Sequence, residues 1–254
     1  MTKNQSYFSV IALFICFGWV NVTPALGQII KRHHEIMVDT LITNSKGEGP
    51  MLEISFTPGA EHNHPLFAFW IEDAEGNFIQ TLYVSESIAK GIFKYGDKST
   101  GRWQPGEIER PAALPYWAHK RNVLNEKGNY MPTAAQPVAD AYSGATPKTA
   151  FLLKTFSDEA LSGKFRLLAE INQSWDWNAH WTNNKFPGDK DYFSSAQPAV
   201  VYEVMIDADK PGNYKLKAIG RSHHAGKSGE LFTDLDTLTT ALEITRTISV
   251  TLGK

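Results

Sequence analysis

Short segments in which apolar and polar residues alternate, separated by turn residues, make up most of this chain. Alternation with a period of two is typical of half-buried strands in antiparallel sheets. The clearest pair of such segments, 67–71 and 78–84, flanks a turn at 73–77 whose Gly76 and Asn77 tolerate positive φ, which predicts a β-hairpin. Further strands are predicted at 35–43, 51–57, 164–173, 200–206, 214–219 and 242–252.

This spacing of strands predicts an all-β fold, since little of the chain has helical periodicity. We expect an immunoglobulin-like antiparallel β-sandwich of about eight strands in one domain, with 200–206 and 214–219 as a second hairpin. Residues 86–150 differ in character because they are rich in Pro, Gly, Ala and Asn. They predict a long insertion with one or two short helices, at 87–94 and 116–124. Connections of this length in a compact domain are usually functional.

The first residues of the chain have the pattern of an export signal. An apolar stretch at 8–20 follows Lys3, and Ala25-Leu26-Gly27 supplies small residues for cleavage. We therefore predict a signal peptide at 1–27, a mature domain at 28–254 and a periplasmic location. A lipoprotein anchor is not expected, because the bulky Ile15 precedes Cys16 and apolar sequence continues after it.

Cysteine and charge content restrict the chemistry further. The chain has a single cysteine, within the predicted signal peptide, so the mature protein is expected to form neither a disulfide nor a thiolate metal site. The formal net charge is −2 and no run of like charges occurs, which argues against a nucleic-acid partner. No second apolar run reaches membrane length, so stable membrane insertion after cleavage is not expected.

One short motif in the insertion has the residue types that a covalent modification requires. Residues 140–146 read Asp-Ala-Tyr-Ser-Gly-Ala-Thr. The Thr146 hydroxyl is a nucleophile suited to forming a phosphoester, and the Asp140 carboxylate is able to orient that hydroxyl or a metal ion. Gly144 and Ala145 have no bulky side chains that would block access to the backbone. Pro147 discourages regular structure directly after the motif. A mobile loop is the expected setting, since a modifying enzyme must reach it.

This segment resembles the acceptor motif of proteins modified by the periplasmic FAD:protein FMN transferase. That motif has Asp, two variable residues, Ser or Thr, Gly, a small residue and then the Thr or Ser that receives FMN. The resemblance implies covalent FMN, attached by a phosphoester to Thr146, with the transferase and a membrane-side electron donor as partners. It also implies that Asp140, Tyr142, Ser143, Gly144 and Ala145 lie close to the flavin.

A second resemblance covers more of the chain but is less specific. The segment 67–73, followed by Gly76 and Thr81-Leu82, and the aromatic and basic segment 116–121 are similar to a family of predicted periplasmic proteins, domain of unknown function 2271. Genes of that family tend to lie beside flavin transferases. The resemblance implies a sandwich domain and no particular reaction.

A tethered flavin ring would need aromatic faces on which to rest, and the insertion offers Trp103, Trp117 and Tyr142. Each of these could equally be a core anchor. Lys120 and Arg121 are candidates to neutralise the flavin phosphate. We therefore expect a flavoprotein acting in extracytoplasmic electron transfer, as a carrier or a reductase component.

The sequence leaves alternatives open. In a non-enzymatic periplasmic binding module, Thr146 would stay unmodified, and the insertion and the tryptophan-rich segment 175–181 would form a recognition surface. The row of polar residues along 170–181 would hold a hard cation through oxygen ligands or contact a ligand with its tryptophans. His62 and His64 would face alike on an extended segment and are the better of the histidine pairs for a metal. No nucleophile elbow or zinc-protease helix occurs in the sequence, so hydrolytic chemistry is not predicted.

Overall fold

The computed structural model describes residues 38–138, 141–144 and 147–253, with 141–144 described by its backbone alone. The predicted signal peptide lies outside this part of the chain. The described strands are β1 (Asp39–Ile42), β2 (Met51–Pro58), β3 (Leu66–Asp73), β4 (Phe78–Ser85), β5 (Ile92–Asp97), β6 (Gln104–Glu107), β7 (Ala141–Gly144), β8 (Phe151–Phe156), β9 (Lys164–Asn172), β10 (Val200–Asp207), β11 (Gly212–Lys215), β12 (Lys217–Arg221) and β13 (Thr245–Leu252). The described helices are α1 (Glu86–Lys90), α2 (Pro115–Arg121), α3 (Lys190–Ser195) and α4 (Thr240–Glu243).

Two sheets form the sandwich, which confirms the predicted all-β class. The first sheet has the order β1-β8-β2-β13-β11, and the second has the order β12-β10-β9-β3-β4-β7. β5 and β6 form a separate hairpin. The pairings are antiparallel except at two sheet edges, where β1 runs parallel to β8 and β7 runs parallel to β4. None of the helices in the described ranges has the length and apolarity that a membrane crossing needs.

The main core lies between the two sheets and follows from the alternation along the strands. In β2, the apolar side chains Leu52, Ile54 and Phe56 point inward and are buried, while the residues between them are partly exposed. Phe67 and Phe69 of β3 meet them from the second sheet. Alternating side chains point to opposite faces of a strand, so the sequence pattern alone selects which face becomes core.

A second core lies on the outer face of the second sheet. All but the last residue of β3 is buried, because the insertion covers the face that would otherwise meet water. Trp70 and Ala68 of β3 pack there against Trp117 of α2 and Ile88 of α1. The insertion is therefore part of the folded domain and not a loose appendage.

The predicted strands are mostly confirmed, with one instructive error. Residues 67–71 and 78–84 form the hairpin β3–β4, and Gly76 in its turn has φ of 90°. The predicted strand 214–219 is instead divided at Leu216: β11 pairs with β13 in the first sheet, and β12 pairs with β10 in the second. Leu216 is buried where the chain passes between the sheets. The segment 214–219, which looks like one strand in the sequence, thus contributes a strand to each of the two sheets.

Other differences concern short elements. The helices predicted at 87–94 and 116–124 are present as α1 and α2, and α1 ends early because Gly91 adopts a left-handed conformation. Two helices were not predicted, α3 and α4, and the latter occupies the start of the predicted strand 242–252. The insertion also contains β5, β6 and β7, which were not among the predicted strands. β8 follows it and was missed, although its burial alternates clearly.

Candidate functional site

Part of the acceptor motif forms a strand at the edge of the second sheet. In β7, Ser143 pairs with Val84 and Gly144 pairs with Ser85, both in parallel. This corrects the prediction that the motif is wholly a loop: β4 offers an open edge, and a four-residue segment without proline is able to fill it. Tyr142 lies within the same strand. The motif residues Asp140, Ala145 and Thr146 lie outside the described residues.

The strand register brings several segments to one end of the second sheet. β7 and β4 end side by side at Gly144 and Ser85, and β3 begins next to them, where Leu66 pairs with Asn172 at the end of β9. We call this the acceptor end of the sandwich. Neighbouring strands lie about 4.8 Å apart, so the three steps from β7 to β9 span on the order of 14 Å. The chain that leaves β7 therefore begins close to the segments that flank β3 and β9.

His62 lies at the acceptor end, beside the chain that follows the motif. Its ring packs on Phe56 and Phe67, with centroid separations of 5.5 and 6.3 Å. The backbone of Pro147, Lys148 and Ile244 surrounds the ring, and neither buried ring nitrogen makes a hydrogen bond of normal geometry. Burial lowers the pKa of His62, since desolvation disfavours the charged imidazolium. His62 thus lies beside Pro147, the residue that follows the motif, and its lowered pKa favours the neutral imidazole.

His64 occupies a different environment from His62. The predicted extended segment is a turn between β2 and β3, in which His64 has φ of 56° and its Nδ1 lies 2.9 Å from the Oδ1 of Asn63. His64 is exposed whereas the ring nitrogens of His62 are buried. Among the described residues, no group of three or more His, Cys, Asp or Glu side chains is placed to hold a metal ion. A metal on His62 and His64 stays a prediction.

Trp117 is a packing residue of the second core. Its side chain has no exposed surface, and its Nε1 donates a hydrogen bond to Thr81 Oγ1 at 2.9 Å. The backbone N–H groups of Trp117 and Tyr116 donate to the carboxylate of Glu170 at 2.8 and 3.2 Å. Burial raises the pKa of Glu170 to about 8, and the two N–H donors oppose that shift. A ring enclosed in this way offers no face to a cofactor that arrives from solvent.

Lys120 lies at the other end of the second sheet. Its Nζ donates to the carbonyl oxygen of Gly76 at 2.9 Å and lies 3.5 Å from Glu72 Oε2. Gly76 belongs to the β3–β4 turn, so the length of β3, on the order of 25 Å, separates Lys120 from the acceptor end. Its contacts serve the buried Glu72, which Arg166 also pairs with at 3.1 Å. Lys120 thus lies at the opposite end of the second sheet from Gly144, the last described residue of β7, and its role toward a phosphate stays a prediction.

The segment 170–181 does not form the predicted row of polar side chains. β9 ends at Asn172, and Glu170 and Asn172 are buried within the fold. Beyond that point the chain turns. Asp176 forms an isolated parallel bridge with Ala196, next to α3. Trp181 is buried against the main core, whereas the two earlier tryptophans are not.

Those two tryptophans form an exposed aromatic cluster with a residue of α3. Trp175 and Trp177 are 52% and 38% exposed, and Phe193 is 43% exposed. Their ring centroids are separated by 5.5 to 5.6 Å in each of the three pairs. We call Trp175, Trp177 and Phe193 the aromatic patch. Large aromatic side chains are usually buried in part by packing, so three that gather at the surface are a candidate contact site.

A groove of about 940 Å³ lies beside the aromatic patch. The β5–β6 hairpin and the residues next to it form its opposite wall, with Tyr95 and Trp103, while Trp175 and Phe193 form the near wall. Charged side chains also line the groove: Lys98, Glu109, Arg110, Lys190 and Asp191. The volume lies in the range of sites for small organic ligands and cofactors.

The fold and this groove define the class of protein: a two-sheet β-sandwich whose insertion covers one sheet and builds an aromatic groove. Comparison of the chain with protein-family models, with curated proteins and with solved structures gave no match. The functional conclusion therefore depends on the motif and on the geometry around it.

Proposed function

We propose that this protein is an exported flavoprotein that carries covalent FMN on Thr146 and acts in extracytoplasmic electron transfer. The acceptor motif at 140–146 carries the proposal. An FAD:protein FMN transferase is the modifying partner, and a membrane-side donor supplies electrons. The export signal at 1–27 supports a periplasmic location, because it would deliver the chain to the compartment in which such transferases work.

The attachment reaction balances with FAD as the donor. The Oγ of Thr146 forms a bond to the FMN phosphorus of FAD, the pyrophosphate bond breaks and AMP leaves with the bonding electron pair. The hydroxyl proton passes to a base of the transferase. When bound, the flavin takes up two electrons and two protons from a donor and returns them to an acceptor. A covalent tether suits this task, because it prevents loss of the cofactor to dilution.

The position of β7 supports access by a modifying enzyme. Among the strands that the structure describes, β7 is the last of the second sheet and pairs only with β4. Detaching a four-residue edge strand disrupts few hydrogen bonds, in contrast to detaching a central strand such as β3. The aromatic patch also fits a flavin better than Trp117 does, because its rings are exposed and those of Trp117 are not.

The test is co-expression of the full chain with an active FAD:protein FMN transferase in the periplasm. We expect one FMN per protein by intact mass, retained after denaturation, and loss of that FMN in Thr146→Ala. Thr146→Ser should keep the modification because it keeps a hydroxyl nucleophile. Thr149→Ala is the matched control, since it removes a nearby threonine hydroxyl outside the motif and should be flavinylated like the native chain.

Two results would contradict the proposal. One is an unmodified native chain in cells where a second substrate of the transferase is fully flavinylated. The other is equal flavin content in the native chain and in Thr146→Ala. Either result would favour the second candidate function, a periplasmic module that binds its ligand without modification, which the exposed aromatic patch supports independently.

A further inference from the structure

The aromatic patch is held rigidly although it lies at the surface. The backbone N–H of Trp175 donates to Ser194 O at 3.3 Å, and that of Gln197 donates to Asp176 O at 3.0 Å. Asp189 caps α3 by accepting from the Tyr192 N–H at 3.0 Å, which fixes the helix that carries Phe193. The backbone that carries these rings is therefore held by hydrogen bonds, which reduces the cost of ordering the patch around a ligand.

Trp175 also has a strained backbone. Its φ is 65°, in the left-handed region, which costs an L residue with a bulky side chain on the order of 1 kcal/mol or more. Glycine would be favoured there on conformational grounds alone. The surrounding hydrogen bonds keep Trp175 in this conformation, and its ring remains half exposed. Strain of this kind is typical of residues that are positioned for contact with a ligand.

The charge around the groove suits a planar ring that gains negative charge. Lys98 lies 5.9 Å from the Trp103 ring, and Arg110 stacks over Phe93 at 4.6 Å with its Nε in no hydrogen bond to a described residue. The acidic Glu109 is occupied by Asn125 Nδ2 at 2.7 Å and by a lysine. Asp191 is the other acid of the groove, against the three cations Lys98, Arg110 and Lys190.

The groove and the described end of β7 lie at the same end of the second sheet. Trp175 follows Asn172, the end of β9, by three residues, and β7 ends at Gly144 on the same side of the sheet. The loop before β3 connects the two regions: the Asn63 N–H donates to Gln173 Oε1 at 2.7 Å, and the neighbouring His62 lies beside Pro147. The ribityl phosphate arm of FMN is an extended chain, able to bridge several strands.

From these observations we infer that the isoalloxazine ring of the FMN on Thr146 packs against the aromatic patch, with Trp175 as its main contact. This inference rests on the proposed function. Indole rings stack on flat conjugated rings, and Lys98 and Arg110 would offset the negative charge that a reduced flavin carries near N1. Trp175 acts as a positioning residue, and the sequence-based candidates Trp117 and Tyr142 are not required for the contact.

Flavin fluorescence tests the contact independently of any activity. A tryptophan in contact with a flavin quenches its fluorescence by photoinduced electron transfer. We would prepare the flavinylated full chain and the variants Trp175→Leu and Trp175→Phe, and measure FMN content by intact mass. The fluorescence yield and lifetime would then be compared before and after complete tryptic digestion. Digestion frees the flavinyl peptide and gives the unquenched reference within each sample.

We expect the native protein to be dimmer than its digest by about threefold or more, and Trp175→Leu to recover most of that difference. Trp175→Phe should show intermediate behaviour, because a ring remains but is a weaker electron donor. Tyr130→Phe, an aromatic change outside the groove, should match the native protein.

The outcomes separate the two proposals. If the native chain carries no FMN, the proposed function fails and this inference fails with it. If FMN is present but the native protein is as bright as its digest, only the inference is overturned. The same holds if Trp175→Leu is fully flavinylated and as dim as the native protein. In both of these cases the patch would serve an external partner and not the tethered ring.

Discussion

The tryptophans of the described chain fall into two groups with opposite environments. Trp70 and Trp117 are fully buried in the second core and Trp181 is buried in the main core, and the indole N–H of each donates a hydrogen bond to a neighbouring side chain. Trp103, Trp175 and Trp177 lie at the surface, with Trp103 the most exposed at 64%. The same residue type therefore has two uses here. Burial of Trp70 and Trp117 stabilises the insertion on the sheet, and exposure of the others leaves apolar area available for contact.

Backbone conformation separates the two groups as clearly as burial does. Trp117 lies in α2, whose N–H groups are satisfied by Glu170, so its position follows from regular structure. Trp175 lies in a turn with positive φ, where its ring gains little from packing. Selection for stability alone would not favour a half-exposed tryptophan at a position with positive φ. Substitutions in the two groups should therefore have different consequences, and three predictions test this.

The largest effect is expected for Trp117→Ala. Removing a fully buried indole leaves a cavity and an unsatisfied Thr81 hydroxyl, so the free energy of unfolding should fall by about 3–5 kcal/mol. Urea denaturation of the apoprotein measures it. Trp103→Ala is the matched control and should change stability by less than about 0.5 kcal/mol. Equal effects of the two substitutions would contradict the division into buried and exposed groups.

The second effect concerns the carboxyl group that anchors α2. The pKa of Glu170 is about 8 in the folded protein, against 4.5 for an unperturbed glutamate. Between these values the folded state retains a proton that the unfolded state has lost, so stability should fall as pH rises from about 5 to 8. The slope should be on the order of 1 kcal/mol per pH unit.

Glu170→Gln isolates this contribution, because the amide does not titrate. Urea midpoints measured at each pH should show the native protein losing stability toward pH 8 relative to the variant. Histidines titrate in the same range, and the difference between the two proteins removes their share. Parallel curves for native and variant would show that Glu170 keeps an ordinary pKa in the folded protein.

The smallest effect is expected at Trp175, and its sign is informative. Both Trp175→Gly and Trp175→Ala remove the ring, but only glycine relieves the strain of a positive φ. The glycine variant should therefore be more stable than the alanine variant by about 1 kcal/mol, the reverse of the usual order. Thermal and urea unfolding of both variants measure this difference. A more stable alanine variant would mean that Trp175 is not strained.

Much of the fold was predictable from local pattern. The hairpin β3–β4 follows from alternation on both sides of a turn that contains Gly76, and the strands β2, β9 and β13 follow in the same way. The division of 214–219 at Leu216 could not be predicted, because nothing in the local sequence states which sheet each half will join. Partner choice depends on tertiary packing and not on the pattern of one segment.

The candidate site was predictable to a smaller extent. The motif at 140–146 is visible as a string of residue types, whereas the pairing of β7 with β4 depends on an open edge that only the assembled sheet provides. The aromatic patch joins Trp175 and Trp177 to Phe193, which is distant from them in sequence, so no local pattern reveals it. The sequence offered Trp103, Trp117 and Tyr142 as flavin contacts because they lie in the same insertion as the motif, and it could not show that Trp103 lines a groove with Trp175 while Trp117 is buried.

The sequence by itself determined the β character of the chain, its main hairpin and the string of residue types at 140–146, because each depends on residues that are neighbours along the chain. Only the tertiary structure decided which tryptophans are buried and which are exposed. It also decided which segments meet at the acceptor end. Burial and long-range contact depend on how the two sheets and the insertion pack, and the free energy of that packing is spread over residues far apart in sequence.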